Sequence, residues 1–147
     1  MRLRKFEMES AVDVAARPER VWEVFADVRR WPEWSKVCVE VWDAPRSLAT
    51  GVSFGFRLRM VGVRVPFYVT VIEADPPRRV AWTSTRYAIT ARRTHEFTPS
   101  EAGTTVRDHK AFSSALLPVG LWYPRRVIRT MTEAWLQELK AEAERVS

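Results

Sequence analysis

The sequence contains few of the residues that form disulfides or bind metal ions. Its 147 residues include one cysteine, Cys38, and two histidines, His95 and His109. A single cysteine cannot form an internal disulfide, and the His and Cys positions do not have the spacing of metal ligands. We therefore expect no disulfide frame, no metal and no cofactor. Sparse cysteine is also typical of a cytoplasmic protein.

Long apolar runs are absent as well. No segment approaches the ~18 apolar residues of a membrane span. The charged start, M-R-L-R-K-F-E-M-E, is not followed by the apolar core of a signal peptide. Neither a repeat nor a low-complexity tract nor a linker divides the chain. These absences predict a cytoplasmic protein with one domain over residues 1–147.

Arginine is what the sequence has in excess. Lys and Arg number 24 against 18 Asp and Glu, which gives a formal charge of +6. Such a balance could attract nucleic acid, anionic lipid or acidic small molecules. The arginines are scattered in pairs rather than gathered in a block, so a solvated surface is the simplest interpretation. We expect no specific nucleic-acid partner, and the sequence does not indicate an oligomeric state.

The hydrophobic pattern predicts an α+β fold with seven antiparallel strands. Pro18 opens a short helix that runs to about Val28, and W-P-E-W at 31–34 forms a second short helix because Pro32 interrupts the first. Helical spacing over residues 121–145 predicts a long last helix with Met131 and Trp135 facing the sheet. The predicted strands cover residues 6–14, 37–42, 52–60, 63–71, 80–85, 87–98 and 105–113.

The order of these elements and several short motifs resemble one superfamily. The stretch V-D-V-A-A-R-P-E-R-V-W-E-V-F-A-D-V-R-R-W-P-E-W-S is followed by P-P-R-R-V-A-W, H-E-F, G-T-T-V and F-S. Together they resemble the START-like superfamily, also called SRPBCC, with its polyketide cyclases and dehydrases, lipid-transport domains and birch-pollen-allergen-type proteins. The resemblance covers essentially the whole chain. It implies a helix-grip fold in which a curved sheet wraps the C-terminal helix around a deep hydrophobic cavity.

Two tryptophans lie where the short helices end. The resemblance places this segment across one mouth of the cavity, so Trp31 and Trp34 are expected to close that end. An indole offers a large apolar face and one N–H donor. We predict that Trp34 is the one that contacts a ligand. Packing of this helix end against the core is the alternative.

Strand parity predicts polar side chains on the inner face of the sheet. If the aromatic residues of strands six and seven point inward, their register-mates do so too. That register holds Arg93, His95, Phe97, Asp108, Lys110 and Phe112.

Burying such charges costs several kcal/mol each unless they are paired or hydrated. Three interpretations stay open: a structural cross-strand pair of Asp108 with Arg93 or Lys110, polar recognition of a ligand, and acid–base catalysis. A β-bulge would reverse the parity and remove the cluster. His109 falls in the outward register and is predicted to be a surface residue, and Cys38 is a weak candidate for a nucleophile.

Three functional hypotheses follow. The favoured one is a carrier or binding protein for a bulky hydrophobic or aromatic molecule, such as a lipid, quinone or polyketide-like compound. The second is a polyketide cyclase, aromatase or dehydratase that uses His95 with Asp108 or Arg93 for proton transfer. The third is a basic RNA- or membrane-surface module built on outward arginines, Arg57, Arg59, Arg64, Arg92 and Arg107. The predicted ligand-binding residues are Trp34, Phe54, Phe56, Phe67, Trp82, Tyr87, His95, Phe97, Lys110, Phe112, Ile128, Met131 and Trp135.

Overall fold

The computed structural model describes residues 4–119 and 124–145. Seven strands in these residues form one antiparallel sheet in the order β1-β7-β6-β5-β4-β3-β2. This confirms the predicted curved sheet of an α+β helix-grip fold. The strands are β1 (Lys5–Val14), β2 (Cys38–Trp42), β3 (Ser53–Met60), β4 (Val63–Asp75), β5 (Arg79–Arg86), β6 (Ile89–Pro99) and β7 (Thr104–Ser114).

Two short helices connect β1 to β2, as predicted. Helix α1 covers Pro18–Ala26, and α2 covers Trp31–Trp34 after a 3-10 turn at Val28–Arg30. Pro18 occupies the first turn of α1, where its missing N–H removes no helical hydrogen bond. The last helix, α3, covers Arg125–Glu144. Its predicted start at residue 121 lies outside the described residues.

Side-chain hydrogen bonds fix α2 against the rest of the fold. The Trp31 indole donates to the carbonyl of Phe25 at 2.9 Å, inside the core. At the other end of α2, the Ser35 hydroxyl donates to Glu138 of α3 at 2.5 Å. The backbone N–H of Lys36 donates to the same carboxylate at 2.6 Å. These bonds hold the W-P-E-W-S segment across one end of the sheet and α3.

Helix α3 turns its apolar stripe toward the sheet. Ile128, Trp135 and Leu139 are buried at helical spacing. Met131 is half-buried and contributes to the space between helix and sheet. The predicted orientation of Met131 and Trp135 is therefore confirmed. Within residues 4–119 and 124–145, no helix combines the length and apolar character needed to cross a membrane.

The strands differ from the sequence prediction at several places, one of which is a shift in the pairing of β2 with β3 between Cys38 and Glu40. Strand β6 begins at Ile89 rather than at 87, because Tyr87 and Ala88 form the turn with φ of 51° and 64°. The pairing of β4 with β5 shifts between Val71 and Glu73, which marks a bulge that the alternation did not indicate. The β6–β7 ladder, in contrast, is continuous. The inner face of β6 and β7 therefore follows the predicted parity.

Candidate ligand-binding site

The polar cluster lies on the inner face of β6 and β7. His95 is directly opposite Asp108, and Arg93 is directly opposite Lys110 in the ladder. The side chains of His95 and Asp108 are inaccessible to solvent, and that of Arg93 is 12% exposed. Strand parity thus brings four polar side chains together under α3.

The Asp108 carboxylate is the centre of this cluster. Arg93 donates to it from Nη2 at 2.6 Å and from Nε at 3.1 Å. The Lys110 ammonium donates to the other oxygen at 2.9 Å. Lys110 also donates to the Thr132 hydroxyl of α3 at 2.7 Å, and that hydroxyl donates to the Ile128 carbonyl at 2.7 Å. Asp108 therefore orients both cations and ties the sheet to the helix.

Burial and mutual charge set the protonation of these groups. Burial raises the pKa of the Asp108 carboxyl, but the charges of Arg93 and Lys110, together with the contact to His95, outweigh it and hold that pKa well below its ordinary value. Burial, reinforced by the neighbouring Arg93, lowers the pKa of the Lys110 ammonium to about 8. At neutral pH the cluster consequently holds two cations and one anion, and the wall that it forms is positive.

His95 lies behind this wall and stays neutral. Its Nε2 lies 3.2 Å from the Trp135 indole nitrogen, which donates to it, and 3.2 Å from Asp108 Oδ2. One nitrogen cannot both accept and donate, so either tautomer satisfies only one of these contacts. Nδ1 has no hydrogen-bond partner among the residues that the structure describes. Burial lowers the pKa of His95 to about 4, despite the attraction of Asp108.

An apolar cavity of about 70 Å³ lies between this wall, the sheet and α3. That volume holds about five waters, at roughly 10–15 Å³ each. It is much smaller than the roughly 300–1,000 Å³ typical of small-molecule sites, so the expected deep cavity is not open in this structure. The lining residues are Phe56, Leu58, Met60, Phe67, Val69, Trp82, Ser84, Ala91, Arg92, Arg93, Lys110, Phe112, Ile128 and Met131.

Aromatic packing explains the small volume. Phe25, Trp31 and Trp135 converge beside His95, and Trp31 lies 5.0 Å from the Trp135 ring. A second recess of about 10 Å³ remains between Trp31, Phe56 and Trp135. These rings occupy space between the sheet and α3 where the family resemblance predicted a deep cavity.

Eleven of the thirteen predicted ligand-binding residues fall into three groups inside the fold. Phe54, His95 and Phe97 are buried in the packed core and do not line the cavity. Trp135 lines the small recess. The residues that do line the cavity are Phe56, Phe67, Trp82, Lys110, Phe112, Ile128 and Met131, together with Arg93 from the proposed catalytic group.

Two predicted positions lie elsewhere. Trp34 is half-buried and lines a surface groove with Arg20 and Glu142, whereas Trp31 is 2% exposed and faces inward. Trp34 therefore does not line the cavity in this structure, because the indole bond of Trp31 to the Phe25 carbonyl turns Trp31 toward the core. Contact of Trp34 with a ligand stays a prediction. Tyr87 is 78% exposed at the β5–β6 turn and does not line the cavity.

Several lining residues were not predicted as ligand contacts. Leu58, Met60 and Val69 belong to the same inward registers as Phe56 and Phe67, so the alternation itself could have identified them. Ser84 and Ala91 are small residues opposite each other in the β5–β6 ladder, and they leave space that larger side chains would fill. Alternation places both residues in the inward registers of Trp82 and Arg93, but it does not indicate the space that they leave.

Other candidates are excluded by their surroundings. Burial raises the pKa of the Cys38 thiol to about 12, so the reactive thiolate does not form at neutral pH. In the part of the chain that the structure describes, no three side chains of the His, Cys, Asp or Glu type are placed to share a metal ion.

The outward arginines do not form one continuous uncompensated face. Arg57 pairs with Glu40, and Arg92 lies 3.8 Å from Glu73. Arg79 bridges Glu73 and Glu96 on the same face. Most of the outer sheet is therefore a mixed-charge surface, which does not favour the nucleic-acid hypothesis.

Solved structures share the fold at low sequence identity. The di-domain ARO/CYC BexL from the BE-7585A biosynthetic pathway superposes with a TM-score of 0.81 at 16% identity, and the match covers 99% of this chain and 52% of that one. The Zhui aromatase/cyclase from Streptomyces sp. R1128 gives 0.78 at 19% identity, covering 96% and 94%. Ara h 8.0201 gives 0.73 at 8% identity, covering 95% and 97%. This chain spans about half the length of BexL.

Among curated proteins, the sequence similarity is confined to a short segment. An uncharacterized protein of Mycobacterium tuberculosis is 38% identical over 45 residues, which is 30% of this chain and 27% of the relative. The match thus spans about a quarter of that relative. A family model, however, matches residues 5–144. The chain therefore belongs to the family described as polyketide cyclase / dehydrase and lipid transport.

Proposed function

We propose that the protein binds a hydrophobic small molecule that presents one anionic or strongly accepting oxygen. A carboxylate, phenolate, enolate or polarised carbonyl would meet this description. One observation carries the proposal: an apolar cavity is closed on one side by Arg93 and Lys110, and within residues 4–119 and 124–145 their two charges are balanced by Asp108 alone. A buried net positive charge is unfavourable unless an anion or a dipole balances it.

The two cations retain hydrogen-bonding capacity toward the cavity. An ammonium has three donors, and Lys110 uses two of them on Asp108 and Thr132 within the described residues. Arg93 uses Nε and Nη2 on Asp108. The remaining donors would hold the ligand oxygen, and Phe56, Trp82 and Phe112 would contact the apolar body.

Ligand access requires the cavity to widen. Met60 and Met131 line both the cavity and a groove of about 620 Å³ between α3 and the end of β3. Methionine side chains are flexible and adapt to irregular partners. Displacing these two side chains toward the groove would join the two spaces and admit a bicyclic or larger molecule.

The first expected result concerns charge selectivity. We expect 2-naphthoate to bind more tightly than 2-naphthylmethanol, by roughly tenfold to a hundredfold, because a bond to a charged donor contributes about 1.5–3 kcal/mol. Naphthoate affinity is expected to fall as the pH rises through about 8, where the free protein loses the Lys110 proton. Tryptophan fluorescence would report both, since Trp82 lines the cavity.

Lys110→Met is expected to abolish this selectivity without loss of stability, because Arg93 still pairs with Asp108. Arg46→Met, at an exposed position that lines neither the cavity nor the groove, is the control and should leave both affinities unchanged. Ala91→Leu should weaken both ligands by filling the cavity, whereas Ala111→Leu on the outward register should not. Equal affinities for acid and alcohol in the wild type would contradict the proposal.

A second candidate function, acid–base chemistry of the cyclase or dehydratase type, is favoured by the lowered pKa of Lys110. His95 and Asp108 do not line the cavity, so the proton donor at its wall would be Lys110 rather than His95. Asp108 would act by orienting Lys110. The aromatase/cyclase structures that share this fold are consistent with such a role.

This chemistry predicts proton exchange on a bound diketone. In deuterium oxide, the neutral Lys110 amine would take the proton from the central carbon of a naphthyl 1,3-diketone, and the ammonium would return a deuteron to the enolate after exchange with solvent. The wild type should therefore accelerate exchange at that carbon by about 10²–10⁴-fold, the usual contribution of a general acid or base. Lys110→Met should remove the acceleration, and His95→Gln should retain it. Mass spectrometry of the recovered diketone measures the exchange. Loss of acceleration in His95→Gln alone would instead support the catalytic role predicted from the sequence.

A further inference from the structure

Exposed apolar side chains gather at one end of the molecule. Among the described residues, six large apolar side chains are exposed, and four of them lie on three neighbouring turns. Val61 is 80% exposed and Val63 58% at the β3–β4 turn, Tyr87 is 78% exposed at the β5–β6 turn, and Leu116 is 74% exposed after β7. Scattered exposed apolar residues are ordinary, but a group on adjacent turns is not.

The ladder registers place these turns along the same edge. Met60 pairs with Val63 where β3 meets β4. Ile89 pairs with both Arg86 and Ser114, which joins the β5–β6 turn to the end of β7. Arg86 also donates to the Pro66 carbonyl at 2.8 Å, which joins the first two turns.

The start of α3 reaches the same edge. The Arg125 guanidinium lies 4.7 Å from the Phe6 ring near the start of β1, and Arg126 shares a groove with Val61. We call this end of the molecule, formed by residues 4–6, 59–64, 84–90, 113–119 and 124–130, the hairpin end.

The hairpin end carries charge of one sign. None of its five segments contains Asp or Glu. The nearest acid along the chain, Glu7, contacts His109 at 2.8 Å. Arg59 and Arg64 even face each other directly in the β3–β4 ladder, where like charges destabilise the pairing. The cations are Arg4, Lys5, Arg59, Arg64, Arg86, Arg125, Arg126 and Arg129.

Two of the turns hold side chains that their backbone does not favour. Val61 and Gly62 have φ of 46° and 78°, and Tyr87 and Ala88 have φ of 51° and 64°. Two-residue hairpin turns with positive φ at both positions strongly favour Asn-Gly. A β-branched valine with positive φ is a genuine outlier. The stability of the two turns therefore does not explain why valine and tyrosine occupy positions 61 and 87. Their presence there indicates a partner that contacts them.

We propose that the hairpin end docks on an anionic lipid bilayer, with Val61, Tyr87 and Leu116 inserted at the headgroup level and the surrounding cations on the lipid phosphates. Apolar tips on separate turns fit a deformable interface better than a folded protein partner, which would require a continuous patch. The absence of acids provides the charge complementarity that an anionic surface requires. Tyrosine is a residue that membrane interfaces favour.

Docking in this orientation would also place the route to the cavity at the lipid. Met60 and Met131 separate the cavity from the groove that Val61 and Arg126 line. Membrane docking does not rest on the ligand proposal, since the tips and cations would bind vesicles even if the cavity held only water. The two proposals can therefore fail separately.

Co-sedimentation with vesicles tests the docking. The wild type is expected to bind phosphatidylcholine vesicles that contain phosphatidylserine, and to bind pure phosphatidylcholine much more weakly. The double variant Val61→Asn with Tyr87→Asn should reduce binding by about tenfold or more while thermal stability stays equal or rises, because asparagine suits both turns. Tyr68→Asn, which removes an exposed tyrosine from the outer face of β4, should bind like the wild type.

A fluorescence measurement supplies the orientation. Cys38 is fully buried, so Tyr87→Cys and Tyr68→Cys can each be labelled selectively with an environment-sensitive dye. A blue shift on addition of the anionic vesicles is expected at position 87 and not at 68. Equal shifts at both positions, or vesicle binding that the double variant retains, would overturn the proposal. So would salt-sensitive binding to polyglutamate with no binding to vesicles, which would indicate an acidic protein partner instead.

Discussion

Replacing Asp108 by alanine is expected to lower the free energy of unfolding by about 3–5 kcal/mol, because it leaves buried charges without their partner. Arg93 and Lys110 both donate to this carboxylate, whose side chain is inaccessible to solvent. Neither cation has another carboxylate contact among the described residues. Chemical denaturation followed by tryptophan fluorescence measures the loss.

Two further variants distinguish the loss of the buried charge cluster from the loss of an aspartate as such. Asp75 pairs with Arg78 at an exposed turn, so Asp75→Ala should cost no more than about 1 kcal/mol. The triple variant Arg93→Met, Asp108→Leu, Lys110→Met removes the cluster as a unit and should recover much of the stability. A loss in Asp108→Ala no larger than that in Asp75→Ala would show that the cluster is hydrated or differently paired.

Lowering the pH from 6.5 to 4 is expected to cost about 3 kcal/mol of stability through His95 alone. Its pKa falls from the ordinary 6.5 to about 4 on folding, so in this window the unfolded chain binds a proton that the folded chain does not. Each pH unit of difference corresponds to about 1.4 kcal/mol. Stability is therefore expected to rise with pH across this window and to level off above it.

The second histidine provides the control. His109 is half-buried on the outward register and contacts Glu7. Stability curves measured between pH 7 and 5.5, where most carboxylates remain ionised, should lose their slope in His95→Gln and keep it in His109→Gln. A slope that disappears in His109→Gln instead would mean that His95 is protonated in the folded state.

The positions of the polar cluster followed from strand parity because β6 and β7 pair without a bulge. Alternation fixes the side of every residue once one of them is known to face inward, and Phe97 served that purpose. Helical spacing predicted the inward face of α3 from Met131 and Trp135. Local periodicity thus predicted the strands, the helices and the polar wall of the site, and the family resemblance implied their arrangement as a helix grip.

The cavity volume was not predictable in the same way. It depends on how Phe25, Trp31 and Trp135 pack against one another, and ring packing is decided by contacts between distant segments. The choice between Trp31 and Trp34 likewise depended on one bond, from the indole of Trp31 to the Phe25 carbonyl. Neither feature leaves a periodic signal in the sequence.

The turn at Tyr87, just before β6, was also not predictable from the sequence pattern. Alternation extended β6 to residue 87 because Tyr is a common strand residue. The backbone instead turns there, with a positive φ that the side chain gives no reason to expect.

The structure of the protein with bound 2-naphthoate would test the central claim most directly. The carboxylate is expected within hydrogen-bonding distance of Lys110 Nζ and the Arg93 guanidinium, with the rings between Phe56, Trp82 and a displaced Met131. A naphthoate bound elsewhere on the surface, or one whose carboxylate points away from Lys110 and Arg93, would contradict the account.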